Sequence, residues 1–250
     1  MKKLLIDQGN TLVKCALINN DSIQKIWSFE QLSHQFLTSL LGEHAIEAVG
    51  LISVQKSTCI SEFFADQKVL IFKHFDVFLP EESLFFSTYT TPKTLGLDRV
   101  AMILGACQLY PNQAVLIISL GTCMTVDFVD ENAVHQGGSI SLGLPMRLKA
   151  LHHFTGKLPL LPLLPFEDEL PAFSARDTSS CMYAGVYNGL QAEVAAMIAY
   201  YQQKKPNVSI LFTGGDVCFL QKNIHQPVSV LPNLLFEGLN YLLNQHIVTL

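Results

Sequence analysis

Three apolar stretches of the sequence end in turns whose residues could handle a phosphate. The first ends in Asp7-Gln8-Gly9-Asn10-Thr11, the second in Gly121-Thr122 and the third in Thr213-Gly214-Gly215-Asp216. A carboxylate at a strand tip, a glycine that admits close approach and exposed backbone N–H groups can together hold a phosphate tail, with the carboxylate near a metal ion or its water. A plain hairpin turn uses the same residue types, so the first turn alone is weak; its two companions strengthen the nucleotide reading. Neither G-x-x-x-x-G-K-[ST] nor G-x-G-x-x-G occurs in the chain, so any nucleotide site is of another type than the P-loop or Rossmann turn.

A second constellation is Leu95-Gly96-Leu97-Asp98-Arg99. A carboxylate at Asp98 can accept a hydroxyl proton as the oxygen attacks phosphorus, while positioning and charge neutralisation supply most of the acceleration. As a residue of a helix N-terminus it would also be favoured by the macrodipole alone. Arg99 offers a planar fork for a carboxylate, or a surface ion pair, and Gly96 lets backbone approach a ligand. Without further context Tyr89 reads as loop packing and Thr178 as the N-cap of the helix that follows. Adjacent His152 and His153 point about 100° apart on a helix and have no third ligand nearby in the sequence, which predicts a solvent-facing pair and no metal.

The elements that carry these residues follow from periodicity and punctuation. Strands are predicted over residues 3–6, 11–18 and 23–27 as a meander, then a helix over 31–41, a strand over 48–54, a helix near 60–65, a strand over 69–72 and a long helix over 97–110. The second half opens the same way, with strands over 114–118, 124–129 and 133–136 and a helix over 144–154. The prolines of residues 158–165 forbid helix or central strand there and predict an apolar extended segment packed on the core or on another subunit. A helix over 178–203, a strand over 209–212 and helices over 217–223 and 234–245 complete the chain. The stripe Leu190, Val194, Met197, Ile198, Tyr201 reads as helical core or a dimer seam.

Residues 5–10 align with residues 117–122 at a constant offset of 112, so that one tight turn after an apolar strand occurs twice. Such self-similarity predicts an internal duplication, with halves 1–112 and 113–250 around a cleft. The difference that matters for chemistry is the carboxylate: Asp7 of the first copy is Ser119 in the second.

Composition excludes several classes. Of 250 residues 49% are hydrophobic and 15% charged, against about 25% charged in an ordinary domain; disorder and small disulfide scaffolds are ruled out, and the length suits one large domain or two ordinary ones. No apolar run approaches the ~18 residues of a membrane span. The start resembles a signal-peptide n-region, but Asp7 ends its apolar segment, so a cytoplasmic protein is expected. The six cysteines are scattered without C-x-x-C, which favours reduced thiols over disulfides or zinc. Net charge is −5 with no long basic run, so nucleic acid is not an expected partner.

Taken in order, Asp7-Gln8-Gly9-Asn10-Thr11 with Lys14, Ser53-Val54, Tyr89, Pro92, Leu95 to Arg99, Gly121-Thr122, Gly137-Gly138, Leu151 with Leu158-Pro159, Asp177-Thr178 and Thr213 to Asp216 resemble the type III pantothenate kinases. The resemblance runs through almost the whole chain. It implies an α/β, duplicated ribonuclease-H-like fold of the actin, sugar kinase and Hsp70 superfamily, and ATP-dependent phosphorylation of pantothenate, the first step towards coenzyme A. It implies ATP contacts at Asp7, Gln8, Gly9, Asn10, Thr11, Leu12, Val13, Lys14 and Thr122, an adenosine region at 213–216 and a general base at Asp98. Pantothenate contacts are implied at Tyr89, Gly96, Leu97, Asp98, Arg99 and, from the partner subunit of a homodimer, at the residue corresponding to Thr178. A divalent ion such as Mg²⁺ and a monovalent cation, K⁺ or NH₄⁺, are implied as well.

The chain departs from the family at Ser119, where an aspartate associated with the monovalent cation is the rule. A hydroxyl can ligate a cation but brings no charge to offset one, and Asp127 would substitute only by turning inward. Two readings follow: an active kinase that retains Asp7 and Asp98, or a catalytically weakened regulator that binds pantothenate or nucleotide on the same scaffold.

Overall fold

The computed structural model describes residues 1–53, 60, 63–64, 70–72, 86–91, 94–164, 170–221, 224 and 226–248. The helix expected near 60–65 and the tokens Val54 and Pro92 fall partly or wholly outside them. Two compact units form: Met1–Leu109 with Leu234–Leu250, and Tyr110–Asn233.

In the first unit, β1 (Lys2–Gln8), β2 (Val13–Asn19) and β3 (Ser22–Phe29) make the antiparallel meander, and β4 (Ile46–Ser53) and β5 (Leu70–Phe72) add in parallel, in the order β3-β2-β1-β4-β5. Strand β1 is central, and residues 3–6 are buried without alternation because both faces of the sheet are covered. Asn20 and Asp21 both take positive φ, 47° and 62°, in the two-residue turn between Asn19 and Ser22, the geometry that matches the twist of a hairpin. One face packs Leu4, Ile6, Val13, Cys15, Val49 and Leu51 under helix α1 (His34–Glu43), with Leu37, Leu40, Ile60 and Phe64. Ser33 caps α1 by accepting from the Phe36 N–H at 3.2 Å.

A short strand β6 (Phe86–Ser87) precedes helix α2 (Leu97–Leu109), whose first turn carries Asp98 and Arg99. In the second unit, β7 (Val115–Leu120), β8 (Cys123–Val129) and β9 (Val134–Leu142) repeat the antiparallel meander. After helices α3 (Leu144–His153) and α4 (Thr178–Lys204), strand β10 (Ser209–Thr213) pairs in parallel with β7. Following helix α5 (Cys218–Gln221), β11 (Ser229–Val230) pairs in parallel with β10. The order β11-β10-β7-β8-β9 mirrors β5-β4-β1-β2-β3 strand for strand, which is the duplication expected from the offset of 112. The core lies between this sheet and α3 and α4, with Leu190, Val194 and Ile198 buried and Met197 and Tyr201 packed against them; the helical stripe is core.

Three details differ from the sequence reading. Strand β9 runs past Gly137 to Leu142, because Gly137 takes φ 98° and lets the strand bulge and continue. The two-residue strands β6 and β11 are too short to leave a periodic signal. The C-terminal helix α6 (Leu234–Val248) belongs with the first unit, not with residues 110–233. Its reason is steric: a Cβ at Gly105 of α2 would overlap the Leu234 backbone oxygen 2.6 Å away, and one at Gly238 of α6 would overlap the Ala101 carbonyl. Two glycines, each costing about 1 kcal/mol of helix propensity, allow these helices to meet backbone to backbone.

Lys3 fastens the same helix to the sheet. Its buried ammonium donates to Asp21 Oδ1 at 2.7 Å, to Asn240 Oδ1 at 2.9 Å and to Asn244 Oδ1. Those bonds hold the Asp21 carboxyl well below the usual carboxylate range.

Candidate active site

Asp7 sits at the C-terminal end of β1, opposite Lys14 across the β1–β2 hairpin and beside Ile52 of β4. Burial pushes its carboxyl up to about 6; the Lys14 charge pulls it down, and the negative charge of Asp98 raises it further. Asp7 and Asp98 are therefore electrostatic neighbours, one brought by a strand end and the other by a helix start. Among the described residues no group of three or more His, Cys, Asp or Glu side chains is placed to hold a metal. The Asp7 carboxylate is nevertheless a fit for Mg²⁺, which takes one or two protein carboxylates and completes its shell with water and phosphate.

The turn after Asp7 is closed by the Gly9 N–H donating to the Leu12 carbonyl at 3.1 Å, leaving Asn10, Thr11 and Leu12 exposed. Gln8 is buried and its Oε1 accepts from the Ser53 hydroxyl at 3.1 Å. That bond ties the turn to the end of β4, a link between residues 45 positions apart that no local pattern signals. Val13 points into the core at 5% exposure, so only its backbone is available to a ligand.

Gly96 accepts from the Val100 N–H at its carbonyl and opens α2. A Cβ there would collide with Asp98 Oδ1, so the missing side chain is the seat of the Asp98 carboxylate. Arg99 is 4% exposed, which removes the surface ion pair as an explanation, and its guanidinium lies over the Tyr89 ring at 5.8 Å from the centroid. Tyr89 is itself anchored by its N–H donating to Ser87 Oγ at 3.1 Å. The sequence marked Tyr89 and Arg99 separately; the structure joins them.

In the second unit Gly121 and Thr122 form the turn between β7 and β8, and Ser119 is the last but one residue of β7. The parallel register Thr213–Ser119 sets the third turn beside the second. Gly214, at φ 99°, lies against Leu120, and the Asp216 N–H donates to the Leu120 carbonyl at 3.0 Å. Gly143, the residue before α3, donates from its N–H to the Thr122 carbonyl at 3.1 Å. Any Cβ at Gly143 would strike that turn. Asp127 does not turn towards Ser119: it sits opposite Ile117, and its carboxylate meets His135 Nε2 at 2.8 Å, both side chains essentially buried.

Thr178 is the first residue of α4, and the cap is Asp177, which accepts from the Ser180 N–H at 3.0 Å and the Ser180 hydroxyl at 2.7 Å. These bonds hold the Asp177 carboxyl below its ordinary value. Thr178 lines a mainly apolar cleft of about 1090 Å³ between α3 and α4, with Leu142, Leu151, Phe154, Met182 and Val186 among its walls. His152 and His153 are exposed, as expected, His152 Nδ1 lying 2.7 Å from the Leu158 carbonyl. The 158–164 segment is extended on the core, held by the Tyr183 hydroxyl donating to Pro162 and the Leu164 N–H donating to Tyr187.

A meander-and-parallel-strand sheet that occurs twice, with acidic and glycine turns at its strand ends, is the fold of the actin and sugar kinase class of proteins. Solved structures of that class match along the whole chain: a putative 2-dehydro-3-deoxygalactonokinase from Sinorhizobium meliloti (TM-score 0.57, 10% identity, 99% of this chain and 100% of that one) is one. A putative Baf family transcriptional activator from Campylobacter jejuni aligns at TM-score 0.61 and 22% identity, over 98% of this chain and 99% of that one. The sequence narrows the class. Residues 3–200 match the family model for type III pantothenate kinase. The type III pantothenate kinase of Cytophaga hutchinsonii is 35% identical over 98% of this chain and 99% of its own length, and that of Flavobacterium johnsoniae 34% identical over 95% of each. The chain belongs to the type III pantothenate kinase family. It is a phosphotransferase that acts on pantothenate in coenzyme A synthesis, with ATP as co-substrate and a divalent metal ion. Nothing in the fold or the comparisons favours the non-catalytic regulator.

Proposed function

We propose that Asp98 is the general base of this phosphorylation. As the primary hydroxyl of pantothenate attacks the γ-phosphorus, its proton passes to the Asp98 carboxylate, the new P–O bond forms in line with the bond to the leaving ADP, and that bond breaks. The observation that carries the reading is the convergence of Asp98 with Asp7: a strand-end carboxylate raised to about 6 partly by the charge of the other. Gly96 keeps the Asp98 carboxylate in place, a preorganisation that enters the rate directly.

Asp7 would hold the divalent ion, directly or through its water shell, leaving Asp98 free to take the proton; the ion when bound neutralises phosphate charge. The turn from Gln8 to Lys14 is the phosphate-binding segment of the first unit, the Lys14 ammonium adding positive charge, and Thr122 is the nucleotide contact of the second, with residues 213–216 for the adenosine. Arg99 binds the pantothenate carboxylate as a fork, held in direction by Tyr89; Gly96 and Leu97 complete that contact. Homodimerisation is supported by the apolar cleft that Thr178 lines and by Phe154 at 81% exposure on its wall, and gives Thr178 its role at the partner's substrate. The enzyme is assigned to the cytoplasm, a reading supported by scattered free thiols; no helix among the described residues is long and apolar enough to cross a membrane.

The test is the variant Asp98→Asn. Loss of the base lowers kcat by about 10²–10⁴ with the KM for ATP little changed. A kcat within threefold of the parent enzyme would remove Asp98 from the role.

A further inference from the structure

The two sheets are built alike, yet the ends of their first strands are chemically opposite. In the first unit Asp7 faces Lys14 across the hairpin. In the second the equivalent strand ends in Ser119, which faces Thr125 on β8 and Thr213 on β10. Residues in register across neighbouring strands present their side chains to the same face, so three hydroxyls form one row. Thr213 is 2% exposed, and Thr125 Oγ1 is buried without a hydrogen-bond partner.

A carboxylate at the position of Ser119 would offset the charge of a monovalent cation bound on this row, and a serine hydroxyl does not. Two carboxylates of the β8 strand and the turn after it are engaged elsewhere. Asp127, on the same face two residues along β8, meets His135 at 2.8 Å. Asp130 accepts the N–H groups of Asn132 and Val134 and the Gln136 amide. What the row itself offers is three neutral hydroxyl oxygens, which suit a water molecule needing two to four polar partners and bring no charge to offset K⁺ or NH₄⁺.

We infer that the Ser119–Thr125–Thr213 row is a neutral hydrogen-bonding site and that catalysis here proceeds without a monovalent cation. The inference rests on the kinase reading above, and its test is separable from it. Pantothenate phosphorylation is measured at constant ionic strength in K⁺, NH₄⁺, Na⁺ and tetramethylammonium salts. In parallel, thermal unfolding is followed in the same salts with a non-hydrolysable ATP analogue and Mg²⁺. The expected result is a rate that varies less than threefold across the series and a Tm that does not distinguish K⁺ from tetramethylammonium. The variant Ser119→Asp restores a carboxylate to the row and is expected to acquire a K⁺-specific Tm rise of a few degrees. A tenfold rate activation by K⁺ in the parent enzyme, or a K⁺-specific Tm rise in it equal to that of Ser119→Asp, would overturn the inference. Complete inactivity in every salt would count against the kinase reading, and the Tm series would still decide the cation question.

Discussion

The contact between α2 and α6 is the point where a single methyl group should be felt at the active site. In Gly238→Ala the new Cβ would sit 2.5 Å from the Ala101 carbonyl carbon and 2.9 Å from the Gly105 nitrogen, and would overlap the Ala101 oxygen. These are backbone atoms of a helix and have no rotamer to change. Ordinary carbon contacts begin near 3.5 Å, so the helices must part by about 1 Å. Overpacking of this kind costs about 1–3 kcal/mol, and parting also loosens Leu239 and Leu243, both fully buried. The better helix propensity of alanine returns about 1 kcal/mol. The net expectation is a loss of about 1 kcal/mol, equivalent to about 2–4 °C in Tm for a chain of this size. Because α2 begins with Asp98 and Arg99, a shift of about 1 Å along the helix also predicts a fall in kcat/KM of up to about 10²-fold. Gly189→Ala on α4 is the control: it is exposed with nothing within 4 Å of its Cβ, and should raise stability by up to about 1 kcal/mol. Both variants are compared by thermal unfolding and steady-state kinetics. A Gly238→Ala protein as stable as its parent would refute the steric account.

Other consequences follow from particular side chains. Gly96→Ala displaces the Asp98 carboxylate from its seat, so kcat should fall by about 10-fold or more while the urea midpoint stays close to that of the parent. Breaking the buried pair with His135→Leu leaves the Asp127 carboxylate without its imidazole partner and should cost about 3–5 kcal/mol, seen as a large fall in Tm with no change in reaction specificity. Asp21 has a folded-state pKa below its unfolded value, so its share of stability is present above about pH 4 and is lost as pH falls through the acid range. Urea midpoints taken between pH 6 and pH 3 should therefore fall less steeply in Asp21→Asn than in the parent, and an identical slope would argue against the Lys3 cluster as its cause.

Much of this was legible in the sequence, and the residues show why. Apolar runs closed by Asp7-Gln8-Gly9 and Leu120-Gly121-Thr122 revealed the paired strand ends, since a buried strand and a tight turn are both local signals. The C-terminal helix was legible as a helix but not as a member of the first unit, because its partner is a glycine contact across more than 130 positions. Arg99 by itself left a carboxylate fork and a surface ion pair both open for the same reason: nothing local announces that Tyr89 will lie under it. Asp127 was visible as a neighbour of Ser119 in sequence, but its bond to His135 depends on the bulge at Gly137 and on strand register. Gly96 drew attention as a place for a ligand, whereas its nearest claimant is the Asp98 carboxylate two residues on.

The most direct test of the central claim is product formation by the purified protein with pantothenate, ATP and Mg²⁺, followed by phosphorus NMR and mass spectrometry. The account predicts stoichiometric 4′-phosphopantothenate and ADP from the parent enzyme, with turnover all but lost in Asp98→Asn. Parent enzyme that binds both substrates yet forms no phosphopantothenate would contradict it.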